Sequence, residues 1–139
     1  MARTILVTGG GRGLGAAISR TLGTQGFNVI INYNQSEAAA KALAEEIGNE
    51  RAVAIQADVT KREDVERLVQ EGTKAFGQID GVVNNALIGF KFDPTAQKAF
   101  KDMDWEDYQT QIDGTLKAAF NVVQSVIPQF MERQRGTVV

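Results

Sequence analysis

The sequence predicts an α/β protein built on a doubly wound parallel sheet, and three observations predict it. Short apolar runs alternate with stretches of helical period along the chain, the pattern of repeated βαβ units. The first run, Thr4-Ile5-Leu6-Val7-Thr8, breaks into a glycine cluster, Gly9-Gly10-Gly11-Arg12-Gly13-Leu14-Gly15, just before helical residues begin. The polar residues Asp58 and Asn84-Asn85 fall at the same ends of later strands as that cluster does of the first.

The elements follow in order. Strand 1 spans about residues 4 to 8 and feeds a helix with Leu14, Ile18 and Leu22 one turn apart, ended by Gly23 and Gly26. Phe27 to Asn32 form strand 2. Ser36 is placed as the N-cap of a second helix whose inward stripe is Ala39, Leu43 and Ile47, and Gly48-Asn49 ends it. Ala52 to Gln56 form strand 3. Thr60-Lys61-Arg62-Glu63 has the spacing of a capping box, with Thr60 at the N-cap and Glu63 at N3, opening a helix that carries Val65, Leu68, Val69 and Phe76 and stops at Gly77. Ile79 to Asn84 form strand 4. Residues 87–103 read as a loop with one short helical turn, in which Asp93-Pro94 marks a turn and Phe90, Phe92 and Phe100 are partly exposed beside a cleft. Asp104 then caps a long helix with Ile112, Leu116, Phe120, Val123, Ile127 and Phe130 on one face; Pro128 bends or tightens its last turns, and Arg135-Gly136 ends it. Thr137-Val138-Val139 starts a fifth strand.

Right-handed crossovers between parallel strands turn this order into a Rossmann-type doubly wound sheet. The expected strand order is 3-2-1-4, with the start of strand 5 beside strand 4 and helices on both faces. The ligand crevice is then expected beyond the carboxyl ends of strands 1 and 4, where the order reverses. Residues 1–139 read as one dinucleotide-binding domain, C-terminally incomplete because the chain stops inside an element.

Composition bounds the function. The chain is 43% hydrophobic and 23% charged, with a net charge of −2, ordinary for a globular domain and without the basic excess of a nucleic-acid surface. No run reaches the length of a membrane span, and the N-terminus lacks the pattern of a secretory signal. With no Cys and no His, disulfides, thiol chemistry, His-based acid–base catalysis and zinc sites are excluded within these residues, and no metal ligands are expected. A cytoplasmic protein with neither nucleic-acid nor membrane partners is expected.

The glycine turn carries the functional expectation. A strand, a turn without side chains and a helix start let phosphates rest on backbone N–H groups at the positive end of a helix. Thr8-Gly9-x-x-x-Gly13-x-Gly15 resembles the Thr-Gly-x-x-x-Gly-x-Gly fingerprint of the short-chain dehydrogenase/reductase family. Asp58-Val59 after strand 3 is similar to that family's adenine-contacting acid and its neighbour. Asn84-Asn85-Ala86 resembles the start of its Asn-Asn-Ala-Gly motif, and the stretch Asn121 to Pro128 has the texture of its long helix. The resemblance covers essentially the whole chain and is strongest to reductases of 3-oxoacyl thioesters carried by acyl carrier protein.

That resemblance implies a cofactor site. Around the turn it takes in Thr8, Gly9, Gly11, Arg12, Gly13 and Leu14, with Gly9 and Gly13 allowing angles or approaches that a Cβ blocks and Gly15 letting the helix pack on the sheet. Asp58 accepts from the adenine amino group or, alternatively, is a loop residue or helix cap, with Val59 beside it. Asn85 and Ala86 face the nicotinamide side, whereas Asn84 is read as a structural brace. An NAD site usually shows an acid about 20 residues beyond the glycines, but strand 2 runs into Asn34-Gln35-Ser36 with no acid before Glu37. Arg12 can face a ribose 2′-phosphate, or be a solvated turn residue, and Asn34 and Ser36 can add neutral hydrogen bonds. NADP(H) is the expected cofactor.

The family's chemistry uses a Ser and a Tyr-x-x-x-Lys pair. Tyr33 is followed four residues on by Glu37, and Tyr108 by Ile112, so neither fits, and the catalytic half is expected beyond Val139. The 139 residues alone are expected to show no ketone reduction. Two departures lie inside the chain: Leu87 stands where the family usually has Gly, and Thr115 stands at the place of its proton-relay Asn, with Asp113 two residues off and pointing elsewhere. The function implied is NADPH-dependent reduction of a small-molecule carbonyl, with a substrate presented on acyl carrier protein among the options and a homo-oligomer formed through helix 104–134. The alternative is a non-catalytic nucleotide-binding or assembly module.

Overall fold

The computed structural model describes residues 2–88 and 93–139, so the expectations for Phe90 and Phe92 lie outside the described residues. Five strands, β1 (Thr4–Val7), β2 (Asn28–Tyr33), β3 (Ala52–Gln56), β4 (Gly81–Val83) and β5 (Thr137–Val138), form one sheet in the order β3-β2-β1-β4-β5. Every neighbouring pair is parallel. The helices are α1 (Gly13–Thr24), α2 (Glu37–Ile47), α3 (Arg62–Phe76), α4 (Trp105–Ile112) and α5 (Ala118–Arg133). A 3₁₀ turn at Phe100–Asp102 is the short helical turn of the loop before α4.

The register explains how one sheet makes two cores. Leu6 lies opposite Ile30 and Val82, and all three point to the face that α3 and α5 cover, where Leu68, Val122 and Val126 are fully buried with them. The alternate residues Val7, Val29 and Ile31 point to the other face, under Ala40, Leu43 and Ala44 of α2. Strands covered on both faces read as continuous apolar runs, as these do.

Several local expectations are corrected. Leu14 does not join the inward stripe of α1; it is 72% exposed, and the buried residues of α1 are Gly15, Ser19 and Gly23. The close approach of α1 to the sheet leaves room only for small residues along that line, so Leu14 is turned outward. Gly23 is the last residue but one of α1 and Gly26 follows its end at φ 92°, while a Cβ at Gly23 would also meet Ile47 of α2 at 2.7 Å. The buried stripe of α2 is Ala40, Leu43 and Ala44, with Ile47 half-buried and Ala39 exposed, the i, i+3, i+4, i+7 set. Ser36 does occupy the N-cap position of α2, although its hydroxyl makes no capping bond.

The capping box at Thr60 does not form. Asp58 Oδ1 accepts both the N–H of Thr60 at 3.0 Å and its hydroxyl at 2.7 Å, so a charged acceptor two residues back claims the hydroxyl that was to cap the helix. α3 starts one turn-step later, with Lys61 at the N-cap, and Asp64 replaces Glu63 as the residue that reaches back, accepting the Asp58 N–H at 2.8 Å.

The long helix is continuous but not uniform. A π-helical turn at Asp113–Lys117 separates α4 from α5. The extra residue in that turn rotates everything after it, so the buried face of α5 is Ala118, Asn121, Val122, Val126 and Phe130. Of the expected stripe only Phe130 is fully buried, while Ile112 and Val123 are half-buried. Leu116 and Phe120 are 69% and 60% exposed, and Ile127 also faces solvent. Pro128 sits inside α5, which continues to Arg133. Among the described residues no helix is long and apolar enough to cross a membrane.

Candidate dinucleotide site

The carboxyl ends of β1, β2, β3 and β4 open onto one cleft of about 710 Å³. Its floor is the turn between β1 and α1. Gly9 and Gly13 have φ of 59° and 55°, left-handed angles that glycine adopts without strain. At Gly15 the reason for glycine is packing: a Cβ there falls 2.1 Å from the carbonyl oxygen of Gly9. The N-terminus of α1 therefore lies directly on the turn. Its first turn carries no acidic residue, so the positive end of the helix faces the cleft uncompensated.

The turn is braced from behind by side chains. Asn32 at the end of β2 is 2% exposed; its Oδ1 accepts the Gly9 N–H at 3.2 Å and its Nδ2 donates to Ala57 O at 3.1 Å. Ser19, fully buried, donates its hydroxyl to Gly10 O at 3.1 Å. The Asn85 amide donates to the carbonyls of Thr8 and Gly9 at 3.0 and 3.1 Å. The backbone N–H groups of Asn85 and Ala86 both donate to Thr8 Oγ1 at 3.0 Å. The brace read for Asn84 thus falls to Asn85 instead. Asn84 Oδ1 is buried without a partner among the described residues, and neighbouring side chains on extended backbone point to opposite sides, so only Asn85 is directed at the turn.

Every residue nominated from the sequence for cofactor binding except Thr8 lines this cleft: Gly9, Gly11, Arg12, Gly13, Leu14, Asn34, Ser36, Asp58, Val59, Asn85 and Ala86. Thr8, only 2% exposed, lies beneath it as part of the brace. Arg12 is exposed at the N-cap position of α1 in extended conformation and lines the cleft together with Asn34 and Ser36. Asp58 plays the loop role that was its alternative reading, through Thr60, and also lines the cleft.

Sequence reasoning missed Asn32, Ser19 and Asn121. Asn121 donates its amide to Val59 O at 3.0 Å and so fixes the loop after β3 from α5. Each is a polar residue set in an otherwise apolar stripe, and that was the available signal. Thr115 does not reach the main cleft. It lines a neighbouring cavity of about 200 Å³ with Thr8, Asn84 and Leu87, and its hydroxyl donates to Gln111 O at 2.6 Å. Asp113 accepts from Gln109 at 2.9 Å, whereas Gly114 between them lines the main cleft. Leu87 is exposed at the rim. Among the described residues no cluster of acidic side chains fits a metal ion.

The cradle fits a dinucleotide on this structure's own terms. A Cβ at Gly13 meets nothing within 4 Å, so the turn opens on free space beside an uncapped helix end, which is where a pyrophosphate rests on backbone N–H groups.

Comparison with known proteins agrees with the geometry. Residues 3–139 match the short chain dehydrogenase family. The chain is 37% identical to the 3-oxoacyl-(acyl-carrier-protein) reductase FabG of Staphylococcus epidermidis, over all of this chain and 55% of that protein. It is 36% identical to 3beta-hydroxysteroid dehydrogenase 1 of Eggerthella lenta, over 99% of this chain and 51% of that protein. Among solved structures, a gluconate 5-dehydrogenase from Burkholderia cenocepacia in complex with NADP and tartrate superposes with a TM-score of 0.82 at 30% identity, covering 98% of this chain and 51% of that one. The chain spans about half the length of the relatives it matches.

Proposed function

This chain belongs to the short chain dehydrogenase family, and from that premise we propose that it is the cofactor-binding half of an NADPH-dependent carbonyl reductase. The observation that carries the reading is the glycine turn itself: backbone N–H groups and an uncompensated helix N-terminus open on one cleft together with Arg12. NADPH, when bound, supplies the hydride that reduces a ketone to an alcohol.

The residues of this chain bind and orient. The turn from Gly9 to Gly15 takes the pyrophosphate on backbone donors, while Asn32, Ser19 and Thr8 hold that turn rigid so that no reorganisation is needed on binding. Arg12 meets the 2′-phosphate in a charge-assisted contact, with Asn34 and Ser36 adding neutral donors. Asp58 and Val59 border the adenine, with Asp58 oriented by Thr60. Asn85 and Ala86 border the nicotinamide ribose. The proposed substrate class is a small-molecule ketone, with a 3-oxoacyl thioester on acyl carrier protein favoured by the relatives at 37% identity.

The exposed apolar face of α4 and α5 is the proposed contact between copies. Leu116 of the π turn and Phe120, Ile127 and Met131 of α5 lie exposed along it, and a contiguous exposed apolar stripe marks an interaction surface. A cytoplasmic homo-oligomer is the proposed working form.

Fluorescence titration of the chain with NADPH and with NADH tests the cofactor assignment. NADPH is expected to bind more tightly, and an NADH affinity equal to or above it overturns the assignment. The reductase assignment is tested in the coding sequence past Val139, where a Ser followed by Tyr-x-x-x-Lys is expected and a stop codon favours a non-catalytic binding module.

A further inference from the structure

The end of the cleft formed by Asn34, Gln35 and Ser36 is followed at once by a carboxylate. Glu37 is the first residue of α2 and the first acid after β2. From that position its side chain has two directions open to it. Turned toward the cleft, it accepts hydrogen bonds from the two hydroxyls of an unphosphorylated ribose and repels a phosphate. Turned along the helix, it does neither.

The structure shows it turned along the helix. Glu37 Oε1 accepts a hydrogen bond from Lys41 Nζ, one turn further along α2, at 2.5 Å. This is the favoured order for an i, i+4 pair, with the acid toward the N-terminus. The pKa of this carboxylate is held below the usual carboxylate range chiefly by the hydrogen bond from Lys41. Tyr33, Asn34, Gln35 and Ser36 line the cleft, while neither Glu37 nor Lys41 does. An exposed ion pair of this kind contributes little to folding stability. What it sets is the direction of a negative charge at the rim.

We propose that Lys41 is a positioning residue for cofactor choice: by drawing Glu37 along α2, it keeps the first carboxylate after β2 off the 2′-phosphate end of the cleft. The inference rests on the NADPH reading above and adds to it a device separate from Arg12. With Lys41 absent, Glu37 is free to swing toward the ribose, where it favours a diol and opposes a phosphate. Lys41 therefore acts through Glu37 and not by touching the cofactor.

A double-mutant cycle on the 139-residue chain separates that role from simple attraction by a distant cation. Dissociation constants for NADPH and NADH are measured for wild type, Lys41→Met, Glu37→Gln and the double variant. Lys41→Met is expected to lower the preference for NADPH about three- to tenfold, from a single like-charge interaction near a solvent-exposed rim. In the Glu37→Gln background the same change is expected to cost nothing further. Lys41→Arg, which keeps the pair, is expected to keep the preference and guards against a variant that fails to fold. An equal loss in both backgrounds, or no loss in either, overturns the role of Lys41. A wild-type chain that prefers NADH defeats the cofactor reading before any variant is made, so the two failures are distinct.

Discussion

Asn85 donates to Thr8 twice, from backbone and from side chain: the Asn85 N–H to Thr8 Oγ1 at 3.0 Å, and the Asn85 side-chain amide to the Thr8 carbonyl at 3.0 Å. The Thr8 hydroxyl also donates to Val83 O at 3.3 Å. The two strand ends that border the cleft, β1 and β4, are thereby joined by side chain as well as by sheet.

Replacing Thr8 tests that joint. Thr8→Val keeps the shape but leaves the amides of Asn85 and Ala86 without their acceptor, a loss of about 1–3 kcal/mol. Thr8→Ser restores the oxygen and is expected to recover most of it. Chemical denaturation of the three proteins checks the order wild type, Ser, Val. Dinucleotide affinity is expected to fall in the same order, because the turn loses its rear support.

Gly15 tolerates no side chain. A Cβ at 2.1 Å from Gly9 O and 2.6 Å from Asn85 Nδ2 must push α1 away from the turn. Gly15→Ala is expected to cost about 1–3 kcal/mol in overpacking and to lower the melting temperature by several degrees. Wild-type stability in the alanine variant, measured by thermal denaturation, contradicts this packing.

Arg12 separates affinity from selectivity. Arg12→Ala is expected to weaken NADPH binding about tenfold, close to 1.4 kcal/mol, with little change for NADH. The effect should shrink as salt rises, since Arg12 is exposed. Equal losses for both cofactors in isothermal titration remove Arg12 from the 2′-phosphate.

The outward face of α5 predicts association. Phe120→Glu and Met131→Glu change side chains that are exposed in the single chain, so folding stability should hardly move. Sedimentation velocity is expected to show the wild-type chain as an oligomer and the charged variants as monomers. A wild-type chain that sediments as a monomer at high concentration removes this face as the contact.

Most of the architecture was legible because it depends on period and punctuation. The apolar runs, the glycines and the right-handed crossover rule give the order β3-β2-β1-β4-β5 without coordinates. The stripes were less legible. Leu14 and Phe120 are apolar and correctly spaced, yet both face outward, because hydrophobicity does not say which of two neighbours a helix turns toward a partner. The site was legible where it is made of backbone, as at Gly9 and Gly13, and obscure where it is made of braces. Asn32 and Ser19 look like isolated polar residues until the fold brings the Gly9 N–H to the first and the Gly10 carbonyl to the second.

The sequence by itself therefore determined the sheet, its order and the cleft at the ends of β1 and β4, since these follow from local period and chain handedness. Only the tertiary structure decided which asparagine braces the glycine turn, which acid opens α3, and which face of α5 is buried. Those outcomes depend on competition for hydrogen bonds, between distant residues at the glycine turn and between close neighbours at the start of α3, and on one extra residue in a π turn that rotates all that follows.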